Sequence, residues 1–145
     1  MPRNVWLIGA GWLSVVAALL HIAIMIGGPD WYRFFGAGER VAHKATMGSI
    51  IPPLMAVGIA VILGITAAFA FAGAGVINRL PLMRVALVAI STVLLLRAAA
   101  YFIRAAWRPD LSQAFMAWSS LIVLVMGLAF AIGTWRAWPQ LSQRI

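Results

Sequence analysis

The chain has 145 residues, of which 64% are hydrophobic and 10% charged, with a mean hydropathy of +1.00. Soluble domains run near 45–50% apolar and about 25% charged, and a small domain has a large surface to cover with polar groups, so an ordinary water-soluble domain, a disordered chain and a disulfide scaffold are all excluded. Eleven Lys/Arg against three Asp/Glu give a net charge of +8, but the positives sit at the ends of apolar segments with no basic run, which reads as anchoring at lipid head groups rather than nucleic-acid binding.

The first apolar segment runs from about Asn4 to Ile26, with one polar ring, His21. A spanning helix needs about 20 residues. Arg3 before it resembles a signal-peptide start, but the stretch is too long and no clean small-x-small cleavage site follows. It is read as a transmembrane helix.

A connection from Gly27 to Lys44 follows. Gly-Gly-Pro ends the first helix, and Asp30 is placed to cap a new one. Trp31, Tyr32, Phe34 and Phe35 form an aromatic patch beside Arg33, which fits a short helix lying in the membrane interface over about residues 29–44. Gly36 and Gly38 break it. Glu39 and His43 are four apart and share a face if the next turn is helical.

The second apolar segment begins near Ala45 and ends near Gly75, with the span itself at about 48–73. Pro53 pushes Pro52 out of the helical region, so a kink or a helix restart is expected there. Ala60, Gly64, Ala68 and Ala72 recur every four residues and suit close helix contact. A turn with Gly75, Asn78, Arg79 and Pro81 leads to the third span, about 82–103. This span is apolar except for Arg84 and Arg97. A connection containing Pro109 and Asp110 precedes the fourth span, about 113–135, closed by Trp135 and Trp138, the residues that favour the headgroup level.

The expected fold is therefore an all-α integral membrane protein. It is a four-helix up-down bundle in a single transmembrane domain over residues 1–145, with a short interfacial amphipathic segment between the first two spans. Four crossings put both termini on one side. Lys and Arg count five on each side, leaving Arg97 out, so the positive-inside rule is tied. The first connection is the longest and richest in chemistry, which places the termini in the cytoplasm of a cell bounded by a bacterial inner membrane. The thin, Ala-rich helices and the Ala60–Ala72 face point to a homo-oligomer or to a membrane protein partner.

Chemistry concentrates at the end opposite the termini. A charge inside a span is costly and faces either a protein interior or, by snorkelling, the headgroups; both readings are open for Arg97. Tyr101 and Arg104 continue its stripe. His21 lies on the stripe of Ala10, Ser14 and Ala17 and should sit at similar depth. A one-sided pocket follows, with His21, Arg97, Tyr101 and Arg104 below and Asp30, Trp31, Tyr32, Arg33, Glu39 and His43 in the connection above. Its positive charge suits a carboxylate or phosphate held by an Arg fork, and its aromatic residues suit an apolar tail. The expected ligand is a membrane lipid or other anionic amphiphile.

Two alternatives remain on sequence grounds. A membrane enzyme acting on a lipid-linked substrate would use His43, Glu39 or His21 to move protons, although no nucleophile or phosphate-loop motif accompanies them. A subunit of an oligomeric transporter or channel would need a continuous polar path, to which the fourth span adds only Ser119, Ser120 and Thr134. No cofactor is expected. Haem or a divalent metal on His21, His43 and Glu39 is the weaker alternative, since Cys and HExxH are both missing and arginines oppose a cation.

Overall fold

The computed structural model describes residues 3–107 and 113–141, with the side chains of 102–107 and 113 outside the description. Among the described residues six helices follow in chain order: α1 (Val5–Gly27), α2 (Pro29–Phe34), α3 (Glu39–Thr46), α4 (Ile51–Gly73), α5 (Met83–Trp107) and α6 (Gln113–Leu141). Helices α1, α4, α5 and α6 are each long and apolar enough to cross a membrane. Only 22% of the most apolar stretch of α1 is buried inside the protein. The remainder, including Leu19, Leu20 and Val16, needs an apolar solvent, and the bilayer supplies it. The chain is a four-helix membrane bundle with two short extra helices, α2 and α3, between its first two spans.

The boundaries follow local chemistry. Asn4 caps α1 by accepting from the Leu7 amide at 3.3 Å, and its Nδ2 donates to the Gly133 carbonyl at 2.7 Å, tying the start of α1 to the last third of α6. The start of α1 and the last turns of α6 therefore lie at the same end of the bundle. The expected restart at the proline pair is a turn after Thr46 followed by a new helix at Ile51. Pro52 and Pro53 fall in the first turn of α4, where a missing amide donor would be unpaired in any case. Helix α6 runs past the expected end at Trp135 to Leu141. Its last turns are held by Arg84 over the Trp138 ring at 4.7 Å and Arg136 over the Trp6 ring at 5.8 Å, contacts that favour an interfacial helix end.

Helix α1 packs along α4 and α5 packs along α6, while α1 also rests on α6 and joins the two pairs. Helix α4 touches α5 only sparsely. The terminal end is densely packed around Leu7, Ala10, Ala70, Leu87 and Phe130. Leu7 is the wedge. A Cβ on Gly73 would come within 2.9 Å of its Cδ1, and one on Gly133 within 2.6 Å of its Cγ. Glycine at both positions lets α1, α4 and α6 close to van der Waals contact, which drives helix association where water is missing. Ser14 and Ser91 are buried here and satisfy themselves on the Ala10 and Leu87 carbonyls.

The every-four stripe on α4 does not form one face. Ala60 and Ala72 are buried, but Gly64 is exposed with open space beside it. Four residues turn a helix through 400°, so such a stripe drifts by about 40° per step. Of the residues α4 buries, Pro52, Ala56, Ala60, Ala67 and Ala70 are separated by four, four, seven and three, spacings that keep them on one side.

Candidate ligand-binding site

The end of the bundle away from the termini is hollow. A cavity of about 300 Å³ lies among α1, α4, α5 and α6 beneath α2, α3 and the turn joining them. Its polar wall comes from His21 on α1, Tyr32 on α2, Arg97 and Tyr101 on α5, and Ser119 and Ser120 on α6. Its apolar wall includes Ile24, Pro52, Ala56, Phe115 and Met116. No Asp or Glu lines it among the described residues. Met55 and Ile59 also line it, yet they are 53% and 41% exposed. Their exposure carries the wall of the cavity out to the apolar surface of α4.

Helical rotation decides which residues of the connection reach the cavity. In α2, Tyr32 turns inward and is only 4% exposed. Asp30, Trp31 and Arg33 are rotated off that face by 100° or more and stand outside the lining. In α3, Ala42 is buried and Val41 meets the cavity, while Glu39, Arg40, His43 and Lys44 face outward. The connection thus splits into an inner aromatic face and an outer ionic one. Arg33 organises the outer face, with Nη1 at 3.1 Å from Asp30 and Nη2 at 3.0 Å from Glu39. Its hydrogen bond and charge hold the Glu39 carboxyl below the usual carboxylate range, and Arg33 itself is shifted up by the same Glu39 contact. Asp30 and Glu39, expected in the pocket above Arg97, are engaged by Arg33 at the surface instead.

Of the residues singled out from sequence, His21, Tyr32, Arg97 and Tyr101 come together around the cavity, while Asp30, Trp31, Arg33, Glu39 and His43 do not line it. The side chain of Arg104 lies outside the described residues. His21, His43 and Glu39 are not gathered, and no group of three potential metal ligands exists among the described residues. Ala56, Ile59, Phe115 and Met116 escaped the sequence reading, and Pro52, Ser119 and Ser120 were noted in it but not assigned to the pocket. On α4 and on α6 alike these residues repeat at steps of three or four, the one signal that could have found them.

Two polar groups in the wall have defined chemistry. The His21 Nδ1 lies 2.8 Å from the Ala17 carbonyl, and a carbonyl only accepts, so Nδ1 carries hydrogen. In the neutral ring Nε2 is then the acceptor. The Tyr32 hydroxyl is buried with no hydrogen-bond partner among the described residues, a condition that costs about 1–3 kcal/mol. Burial also raises its pKa, so the hydroxyl keeps its proton. The roof above is fitted by contact. Gly36 has φ +69°, and the Phe115 ring lies where its Cβ would be, so the turn between α2 and α3 closes onto the start of α6.

No family model, no curated protein and no solved structure matches the chain.

Proposed function

We propose that the protein is a membrane-embedded binding or accessory protein for an anionic amphiphile, with the head group in the cavity and the tail directed between α4 and α5 into the bilayer. The observation that carries this reading is the composition of the cavity wall. Arg97, two tyrosines, two serines and an imidazole share it with apolar side chains. Concave, mainly apolar sites with a few converging polar groups are the usual form of ligand sites, including those between the helices of bundles. A guanidinium in the wall selects for an anion, and the planar fork favours a carboxylate or phosphate over a single-point acceptor. With both termini cytoplasmic, the cavity serves the leaflet on the opposite side of a bacterial inner membrane.

The test is retained native lipid, measured by mass spectrometry on wild type, Arg97→Leu and Arg97→Lys purified side by side. Leu is compatible with the bilayer and keeps the fold inserted. It should remove the bound anion, and Lys should keep part of it because charge survives while the fork is lost. Identical species in identical amounts in all three proteins would refute the binding role.

A further inference from the structure

We propose that the head group of the ligand carries hydroxyl donors beside its negative charge, and that His21 on α1 and Ser119 on α6 accept from them. The proposal rests on the binding function above and names the class of head group. A polar side chain in a cavity wall offers a ligand only what its bonds within the protein leave over. His21 donates Nδ1–H to the Ala17 carbonyl at 2.8 Å. Ser119 donates its one hydroxyl hydrogen to the Met116 carbonyl at 3.1 Å. Both hydrogens are spent on the helix that carries them. The neutral ring is left with the Nε2 lone pair and the serine with its oxygen lone pairs. Each residue is thereby an acceptor, and both line the cavity.

Both acceptors can be reached. The two nitrogens of an imidazole point in nearly opposite directions, so Nε2 points away from the α1 backbone that Nδ1 engages. His21 continues the inward face of α1, seven residues beyond the buried Ser14 and three before Ile24, which also lines the cavity. Its Nε2 has no hydrogen-bond partner among the described residues, and it is not sealed from solvent as the Tyr32 hydroxyl is. Ser119 is half-buried, not closed off. Donors come from another helix, through Arg97 on α5. A head group that is an anion and nothing more answers Arg97 alone, and it sets its own lone pairs against those of His21 and Ser119. Hydroxyls beside the anionic oxygens remove the conflict, since the oxygens accept from the guanidinium while the hydroxyls donate to the imidazole and the serine. A site that hydrogen-bonds a ligand hydroxyl rejects the analogue lacking it, because its own polar groups are then left unpaired. Polyol phosphates and hydroxy carboxylates share the chemistry required.

The experiment measures binding to the full-length protein in detergent for two matched pairs of probes: phosphatidylglycerol against phosphatidylmethanol, and a 2-hydroxy fatty acid against the fatty acid of the same chain. Within each pair the charge and the apolar part are the same and only the hydroxyls differ. Wild type should prefer the hydroxylated member of a pair by about twofold to tenfold for each hydrogen bond gained, and the pair that shows the preference identifies the anion. His21→Phe and Ser119→Ala each remove one acceptor, and a fall of the preference by about that factor in either variant supports the proposal. Binding of the hydroxyl-free member, which neither acceptor touches, reports that the site is still formed. Ser119→Ala keeps the test open if the ring at position 21 disturbs α1, because it removes a hydroxyl bonded only to its own helix and supplies a strong helix former. Equal binding within both pairs by wild type would overturn the head-group assignment while leaving the cavity an anion site. A preference unchanged in both variants would overturn the roles of His21 and Ser119. Wild type that binds none of the four probes would overturn the head-group class together with the function beneath it.

Discussion

Replacing Gly36 with Ala should loosen the roof of the cavity without unfolding the bundle. Two costs add. A side chain at φ +69° strains the backbone by about 1–2 kcal/mol. The new Cβ also occupies the position of the Phe115 ring, and forcing extra atoms into a packed contact costs about 1–3 kcal/mol. The sum, about 2–5 kcal/mol, falls on α2, α3 and the start of α6. Leu7 and its neighbours at the other end share no contact with Gly36, so their stability should be unchanged. Gly48 is the control. Its φ is +73°, but nothing lies within 4 Å of its Cβ, so Gly48→Ala carries the backbone cost alone. Hydrogen exchange read by mass spectrometry should show protection of residues 29–46 falling at least about thirtyfold in Gly36→Ala, and less in Gly48→Ala. Protection around Leu7 should be equal in all three proteins. Equal effects of the two substitutions would refute the seating of Phe115 on Gly36, and loss of protection throughout α1 would refute the separation of roof from core.

Leu7→Ala should lower stability by about 2–5 kcal/mol, seen as a lower thermal unfolding temperature, while the affinity of the protein for its anionic probe stays unchanged. Asn4→Ala should cost about 1–2 kcal/mol, because one substitution removes both the cap of α1 and the bond to the Gly133 carbonyl; circular dichroism melts would read it. The folded-state pKa of Glu39 is lowered by Arg33, so its contribution is present above the ordinary carboxylate range and is lost as pH falls through the depressed value. Exchange protection of α2 and α3 should therefore drop slightly on acidification, and added salt should shrink the effect because the pair is exposed. Tyr32 has the opposite sign. Its pKa is raised by burial from 10.0, so its contribution is complete below about pH 10 and is lost as pH rises beyond that, which a near-ultraviolet titration of wild type against Tyr32→Phe would detect.

The spans were legible in the sequence because a bilayer asks for one thing, about 20 apolar residues in a row, and four segments meet it. The two short helices were legible in part, as an interfacial segment broken by Gly36 and Gly38. Their division into an inner and an outer face was not, since it depends on the rotation of each short helix about its own axis. The aromatic and charged residues of the connection looked equivalent along the chain, yet Tyr32 turns inward and Arg33, its neighbour, holds Asp30 and Glu39 at the surface. Polarity marked His21 and Arg97 as unusual inside a span. It could not mark Ala56, Ile59 or Met116, which line the same cavity but are ordinary residues for a membrane helix. Packing partners set their roles, and the sequence carries those only as a faint spacing.

The hollow lies where it does because the two ends of the bundle are built from different residues. At the terminal end, glycines at 73 and 133 receive Leu7, and small side chains such as Ala10, Ala70 and Ala72 let the helices approach closely. At the other end α4 begins with a proline pair, and α5 brings Arg97 and Tyr101, two large polar residues that exclude such closeness. Helices held together at one end and separated at the other leave a wedge of space. Water would fill it in a soluble protein. Here the roof of α2 and α3 covers it, and Met55 and Ile59 carry its wall out to the apolar surface of α4. On the proposed function, the polar groups of this wall would select a molecule that is itself polar at one end and apolar along the rest. The same asymmetry separates the tasks of the molecule: the Leu7 end holds the helices together, which leaves the roof end free to adjust around a ligand without loss of the fold.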